Sequence, residues 1–599
     1  MTFGVLLVLA ALKAVFIVAL FSLNIGGVLT WTDRRQGAMM QDRIGPNRAV
    51  FWVPKRVAQG LALGPAVVVA VGVVFFAYLT RDVAGEARTG RAFVFAQLAV
   101  FMLWATALII AGRVNIRGPL SAFDTFIQWL GDPRRIFYAG LAGHGAIVLV
   151  ALFSPGAAAA EVLGEVGFGG GALVFAAAVL FGAGYAAYNL ERTDRLGIRL
   201  AGLLHPAADG LKTLFKEDFV PPNADHLLHA LAPVISFFPV LVLLAVVPFG
   251  DTVCFAPNAA GQLDFTSLLH PLTTVPAGGV CATGAVKLQV LDLNMGLLFV
   301  FALAGTGIVG AALAGWSSDN KFSLLGGLRA AGQMVSYEVT LGLTLVGLMM
   351  VYGTLRFDEM VVWQMNNTWG VFVQPLACVM FFAAAIAESK RIPFDLPEGE
   401  SEIVAGYFTE YSGMKFAMFF FSEYVSIVVI SGIMATAFFG GWHIPFLDRS
   451  GISITAGDEV LFRLALPHLI VVGLGVVAFT FKTVALCLLQ LAIRWTLPRF
   501  RYDQLMRMCW RILLPASLIN ILATGLVLLA VDAGGPSLWE GLRVAAAVTQ
   551  ALIVVVGTGA LIALVRYWLT PVDRRPMPGT SVVRWVEALG ATPSTQMGD

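Results

Sequence analysis

Charge is what this chain has least of. Asp, Glu, Lys and Arg make up 13% of its 599 residues, about half the share found in ordinary soluble domains. With 58% hydrophobic residues and a mean hydropathy of +0.82, a soluble globular protein is excluded. Cysteine is scarce too. The five present, Cys254, Cys281, Cys378, Cys487 and Cys509, form no C-x-x-C, which argues against a zinc site or an iron–sulfur cluster within the chain. Net charge is +2 and no long basic run exists, which argues against nucleic acid as a partner. The first apolar run lacks a basic leading region and carries Lys13 inside it. It reads as a retained helix, not a cleaved signal.

What is present is apolar runs, and a bilayer crossing takes about 20 helical residues. Runs lie near 3–30, 64–79, 92–111, 136–153, 171–188, 232–249, 293–315, 333–352, 371–386, 416–437, 465–493, 512–531 and 543–567. They predict an all-α, polytopic integral membrane protein with thirteen transmembrane helices plus an amphipathic surface helix. The loop Asp33–Arg56 is basic, as are Arg113–Arg135 and 494–511, whereas 154–170 has acids and no Lys or Arg. By the positive-inside rule the N-terminus lies outside and the C-terminus inside. Two stretches read as helices lying on the inner surface: 123–130, and 205–233 with Leu211, Leu214 and Phe215 on one face. Gly307, Ala311 and Gly315 recur four apart, which favours close helix packing. The GFGGGA stretch at 167–172 has dinucleotide-motif letters but follows no strand and lies outside, so it reads as packing or turn. Cys254 and Cys281 share an outside loop, where an oxidising periplasm would let them pair; two unpaired thiols are the alternative. Lys482 falls mid-membrane with no role assigned by the pattern. No metal-spaced set stands out among the seven histidines.

The stretch from Ala387 to Tyr424 concentrates the acids. Glu388, Asp395, Glu398, Glu400, Glu402, Glu410 and Glu423 are 7 of the chain's 37, beside Lys390, Arg391 and Lys415. Ile392–Phe394, Leu396-Pro397 and Ile403–Phe408 are interleaved with them, which a purely solvated linker does not need. Carboxylates held against apolar side chains are desolvated and repel one another, so some can exchange protons near neutral pH. A plain loop between membrane helices is the competing reading. Glu338, inside the run 333–352, is costly in a membrane and so functional by default. Lying about 8 Å into that run at 1.5 Å per residue, it could also simply face the inner interface. The basic loop, the amphipathic segment and the acidic stretch all fall on the inner side.

The polar segments carry the specific signal. QDRIGPNR (41–48), HPAADGLKTLFKED (205–218), SSDNKFSLLGGLRAAGQMVSYE (317–338), the acidic stretch and RWTLPRFRYDQLM (494–506) resemble the H subunit of respiratory complex I, the NADH:quinone oxidoreductase. The resemblance covers roughly 1–56 and 203–531. It implies a membrane subunit without a redox cofactor of its own, with quinone as substrate. It implies partners among the other complex I subunits: peripheral-arm iron–sulfur and quinone-site subunits, and membrane-arm subunits. Membrane lipid surrounds them, in a bacterial inner membrane. In that family this subunit forms the quinone-access tunnel and the start of an acidic proton path. By the resemblance, tunnel and path acids fall on Asp209, Glu338, Glu388, Asp395, Glu398, Glu400, Glu402, Glu410 and Glu423. Tunnel-lining basic positions fall on Arg34, Arg43 and Arg391. Asp33 stands where the family usually has Glu, and His205 where it usually has Gln, which adds a titratable group.

The largest departure is 57–202, read as a four-helix insertion between the first helix with its GPNR loop (1–56) and the core (203–531). An extra helix at 532–567 and a flexible inner tail at 568–599 follow. Four added spans return the chain to the inner side. A related membrane-bound hydrogenase anchor and an ion-coupled secondary transporter are the alternative functions. The latter predicts broken helices and inverted repeats, and no clear repeat is visible.

Overall fold

The computed structural model describes residues 23–40, 51–53, 55–79, 96–104, 138–147, 172–184, 196–198, 205–254, 285–456, 459–534 and 548–557, with a few isolated positions besides. Among the described residues, six helices are long and apolar enough to cross a membrane. Four shorter apolar helices, Leu63–Phe75, Ala172–Gly184, Pro375–Glu388 and Val548–Gly557, fall within expected spans. The chain is thus a largely helical, multi-pass membrane protein.

The core is built from α1 (Leu23–Met40), α3 (His205–Phe215), α4 (His226–Leu243), α5 (Gly296–Ser317), α6 (Lys321–Tyr352), α7 (Phe357–Asn366), α8 (Pro375–Glu388), α9 (Gly413–Phe438), α10 (His468–Thr496), α11 (Tyr502–Met508) and α12 (Leu514–Ala533), while α2 (Lys55–Leu79) precedes α3. Local chemistry sets the ends. The Asp225 carboxylate accepts from the backbone N–H groups of Leu227 and Leu228 and starts α4. Asn320 does the same for α6 through Phe322, and Gly353, in the left-handed region, ends it. Unpaired terminal amides and carbonyls require such partners.

Small residues let the helices meet closely. Ala311 is fully buried, and Gly315 faces the backbone of Ser323 and Gly327. The face of α3 that carries Leu211, Leu214 and Phe215 is exposed, as expected of a surface helix. The segment 123–130 and the GFGGG glycines lie outside the described residues.

Three helix boundaries differ from expectation. α1 continues to Met40, so Asp33 and Arg34 stand on a helix and not in a loop. α6 begins at Lys321, because Asn320 caps it and its polar first turns are helical on a surface the apolar count does not see. Glu338 therefore lies about 26 Å along the helix, not 8 Å. The stretch 502–533 is near-continuous helix, broken in register by one π turn at Cys509–Leu513.

The expected outer end holds more structure than loops. A three-stranded antiparallel sheet runs through 447–448, 451–456 and 459–465. Arg449, in the turn between its first two strands, is buried and forms a two-bonded ion pair with Asp251, both contacts at 2.6 Å. Lys482 now has a role. Its ammonium donates to the carbonyls of Phe439, Gly441 and His443 at 2.7–2.9 Å and lies 4.3 Å over the Trp369 ring. It satisfies acceptors left free where α9 ends.

Between residues 55 and 198 only parts are described. Val67, Val68, Val69, Val71, Phe75 and Tyr78 of α2 are exposed. Helical segments 96–104 and 138–147 pair through Gln97 and His144. Residues 51–53 and 196–198 hydrogen-bond antiparallel, Phe51 opposite Ile198.

One glycine fixes the seat of the acidic stretch. A Cβ on Gly326 would lie 2.6 Å from the Gly406 Cα and 2.7 Å from the Tyr407 backbone nitrogen. Gly326→Ala should lower stability by about 1–3 kcal/mol, the usual cost of overpacking. Gly72→Ala, with nothing within 4 Å, should raise it by about 0.5–1 kcal/mol. Thermal unfolding of the detergent-purified protein checks both; equal melting temperatures would contradict the close approach.

Candidate functional site

Consecutive core helices run antiparallel, so the C-terminal ends of α1, α5, α8 and α10 share one end of the bundle with the N-terminal ends of α4, α6, α9 and α11. Polar segments distant in sequence are brought together there. Asp33 is buried and accepts from Tyr424 Oη at 2.9 Å and Trp495 Nε1 at 2.9 Å; it also pairs with Arg494. One carboxylate therefore ties α1 to α9 and α10. The next residue, Arg34, pairs with Asp209 of α3 at 2.7 Å, both half-exposed. His205, half-buried, opens α3. Arg43 lies outside the described residues.

The segment between α8 and α9 is folded against these ends. Phe394 and Leu396 are buried, and Phe394 stacks on Phe500 at 5.4 Å and 12°. Tyr407, fully buried, and Phe408 pack on Phe419. The amide Nε2 of Gln333, on α6, donates to the carbonyls of Ala387 and Phe394 at 2.7 and 2.8 Å. Lys390 and Val404 hold positive φ, 54° and 66°. Such backbone persists where the surroundings over-determine it, often at functional sites.

The acids take partners from several helices. Glu423 and Arg391 form a buried ion pair at 3.1 Å, and the guanidinium lies 4.3 Å over the Tyr424 ring. Asp395 pairs with Arg499 at 3.0 Å. Burial nonetheless dominates there. Together with the nearby charges of Glu398 and Glu423 it pushes the Asp395 carboxyl up to about 8, against the pull of Arg499 and Arg391. Burial likewise lowers the Lys390 amine and raises the Tyr407 phenol. Lys390 Nζ donates to Tyr407 Oη at 3.3 Å. Glu402 meets Arg329 of α6 at 2.6 Å and is half-exposed. Glu410 accepts from Asn320 Nδ2 at 2.7 Å. The backbone of Glu400 starts a short helix to Ile403; its side chain lies outside the described set.

Glu338 and Glu388 come together. They share one cavity whose other walls, Leu243, Val300, Phe301, Phe381, Val429 and Ile430 among them, are almost wholly apolar. Gly305 leaves room for the Glu338 carboxylate, since a Cβ there would sit 3.3 Å from Oε1. Glu388 Oε2 is buried with no protein partner. The carboxyl groups thus run from a half-exposed pair at the surface to a sheltered pair inside the bundle. In such a medium charges interact strongly and titrate together.

Sequence reasoning passed over the partners. Arg329, Arg494 and Arg499 count in the sequence only as basic loop charge, and Gln333 and Tyr424 look like ordinary helix residues. Nothing in their local pattern says which acid each will face. At the other end of the bundle Cys254 is disulfide-bonded. Its expected partner, Cys281, lies outside the described residues; Cys378, Cys487 and Cys509 are free and buried.

A family model described as NADH dehydrogenase matches residues 172–525. The NADH-quinone oxidoreductase H subunit 1 of Geobacter sulfurreducens is 41% identical over 326 residues, 54% of this chain and 82% of the relative. The corresponding H subunit 1 of Cytophaga hutchinsonii and the H subunit of Flavobacterium psychrophilum are each 38% identical over 339 residues, 56% of this chain and 87% and 88% of theirs. This chain therefore carries much sequence that these relatives do not match. With over four fifths of each relative covered, the chain belongs to the family of NADH-quinone oxidoreductase H subunits, membrane components of complex I.

Proposed function

We propose that this chain forms the quinone-access tunnel of complex I and the first part of its acidic proton path. The observation that carries this reading is the carboxylate series, which leads from the Arg329–Glu402 pair inward to the Glu338–Glu388 cavity. Quinone passes along the apolar and aromatic surfaces at that end, held by lipid outside and by peripheral-arm subunits above. Electrons arrive from an iron–sulfur centre in a neighbouring protein of the complex, and the chain holds no redox group of its own. The site end faces the cytoplasm, as the basic loops direct. Residues 57–202 form an insertion at the periphery, which the exposed face of α2 and the adjacency of 51–53 and 196–198 support.

Reducing a quinone to quinol takes two electrons and two protons. A charge arriving near the head group raises the proton affinity of nearby carboxylates. Asp395, held partly protonated near neutral pH, is placed to give up or take a proton at that step. The change in charge shifts proton occupancy across Glu398, Glu400 and Glu402 and is relayed through Glu410, Glu388 and Glu338. Asp33, Arg34, His205, Asp209 and Arg391 shape the tunnel wall, and Arg391 holds Glu423. Arg43 belongs to the same tunnel lining.

Glu402→Gln and Glu410→Gln in the assembled enzyme should each lower NADH:quinone reductase activity and proton pumping roughly tenfold, the effect of 1.36 kcal/mol on a barrier. Electron transfer from NADH to a water-soluble acceptor should stay intact. Unchanged quinone reduction and pumping would remove both residues from the path.

The Asp395 carboxyl gives a second test. Its folded-state value of about 8 lies above the ordinary Asp value of about 3.9. Between these limits the folded protein holds a proton that the unfolded chain has released, so stability falls as pH rises. Wild type should lose melting temperature relative to Asp395→Asn from about pH 4 to about pH 8 and then level off. Parallel curves for the two would mean that the group is ionised throughout.

A further inference from the structure

Beside the acidic stretch lies a histidine that the proposed path does not use. His229, in the first turn of α4, is completely buried; neither ring nitrogen makes a well-formed hydrogen bond, and the protein group nearest to offering one is the Glu410 backbone. Its ring stacks face to face on Tyr411, with centroids 4.1 Å apart and planes 3° apart. Tyr411 follows Glu410, and its hydroxyl meets Ser317 Oγ at 3.4 Å. Pro233 stands four residues after His229 and has no N–H, so the His229 carbonyl also loses its helical partner. Two turns further along α4, Ser236 Oγ is buried and without a partner. It lies against Gly310 of α5, where a Cβ would come 2.2 Å from it. Leu243, on the same face, lines the cavity that holds Glu338 and Glu388.

Buried imidazole and hydroxyl groups without well-formed hydrogen bonds cost free energy unless water reaches them. Here they are aligned along the α4–α5 seam. One end opens at the surface polar groups of Glu410, Asn320, Asp218 and Lys415, the last two paired at 2.9 Å. The other end is the acidic cavity. We propose that His229 is a proton-relay residue and that the α4–α5 seam, through Ser236, is a second, water-lined inlet from the cytoplasmic surface to Glu338. This rests on the proton-path reading above. An inlet apart from the quinone would let the cavity reload while the tunnel is occupied. The groups that face His229 are Lys415 from α9, Asp218 from the segment before α4, Glu410 and Tyr411 from the acidic stretch, and His226 from its own helix.

The test uses membrane vesicles with the assembled enzyme, measuring proton uptake per NADH oxidised across pH. His229→Phe keeps a ring on Tyr411 and removes both nitrogens. It should lower uptake per NADH roughly threefold or more and erase the pH dependence that a titrating imidazole confers on that ratio. Ser236→Ala should lower uptake without moving that pH dependence. Wild-type ratio and pH profile in His229→Phe would overturn the inlet. Should that variant fail to assemble, a high-resolution map of the wild-type assembly decides. Ordered water bonded to a His229 nitrogen and to Ser236 Oγ supports the inlet, and a dry seam overturns it. Glu338→Gln keeps the two questions apart: if it pumps as wild type, the proton path itself fails, whatever His229 does.

Discussion

A carboxylate withdrawn from water inside a lipid-embedded bundle must find a cation, a donor or a proton, and this requirement shapes one end of the molecule. Asp33 takes three donors from two helices; Glu423 takes the buried Arg391; Asp395 has Arg499 and still favours its proton. Each solution recruits a residue from another part of the chain. These acids are therefore also the joints between α1, α9, α10 and the segments that flank them. Breaking one pair leaves an uncompensated charge, far costlier than the pair is worth. On the proposed reading, stability and proton handling cannot be tuned separately there.

Among the described residues the apolar runs located the six membrane-length helices and the four shorter apolar ones, because a bilayer crossing has a length that composition reveals. The same count failed where helices leave the hydrocarbon: α1 and α6 extend through polar turns that continue the hydrogen-bond ladder unseen by hydropathy. That error placed Glu338 near the interface, whereas it lines a cavity inside the bundle. The acidic stretch was legible as a non-solvated segment from its interleaved Ile, Leu and Phe. Its partners were not, since Arg329, Arg494 and Arg499 gain their meaning only from packing. The hairpin at 451–465 was missed although Ile452, Ile454, Val460 and Phe462 alternate with other residues, because the flanking membrane runs dominate any window drawn across it.

The two ends of the bundle are built on different principles. The proposed cytoplasmic end uses titratable pairs, positive φ and a segment wedged against glycine. The opposite end uses fixed connections: a disulfide at Cys254, the doubly bonded Arg449–Asp251 pair, and Lys482 holding three carbonyls.

The short antiparallel ladder pairs Phe51–Val53 with Leu196–Ile198 across more than 140 residues of chain. On the proposed reading of the intervening residues as an insertion, its two feet would stand side by side, and lineages could lengthen or shorten it without rethreading the helices that follow.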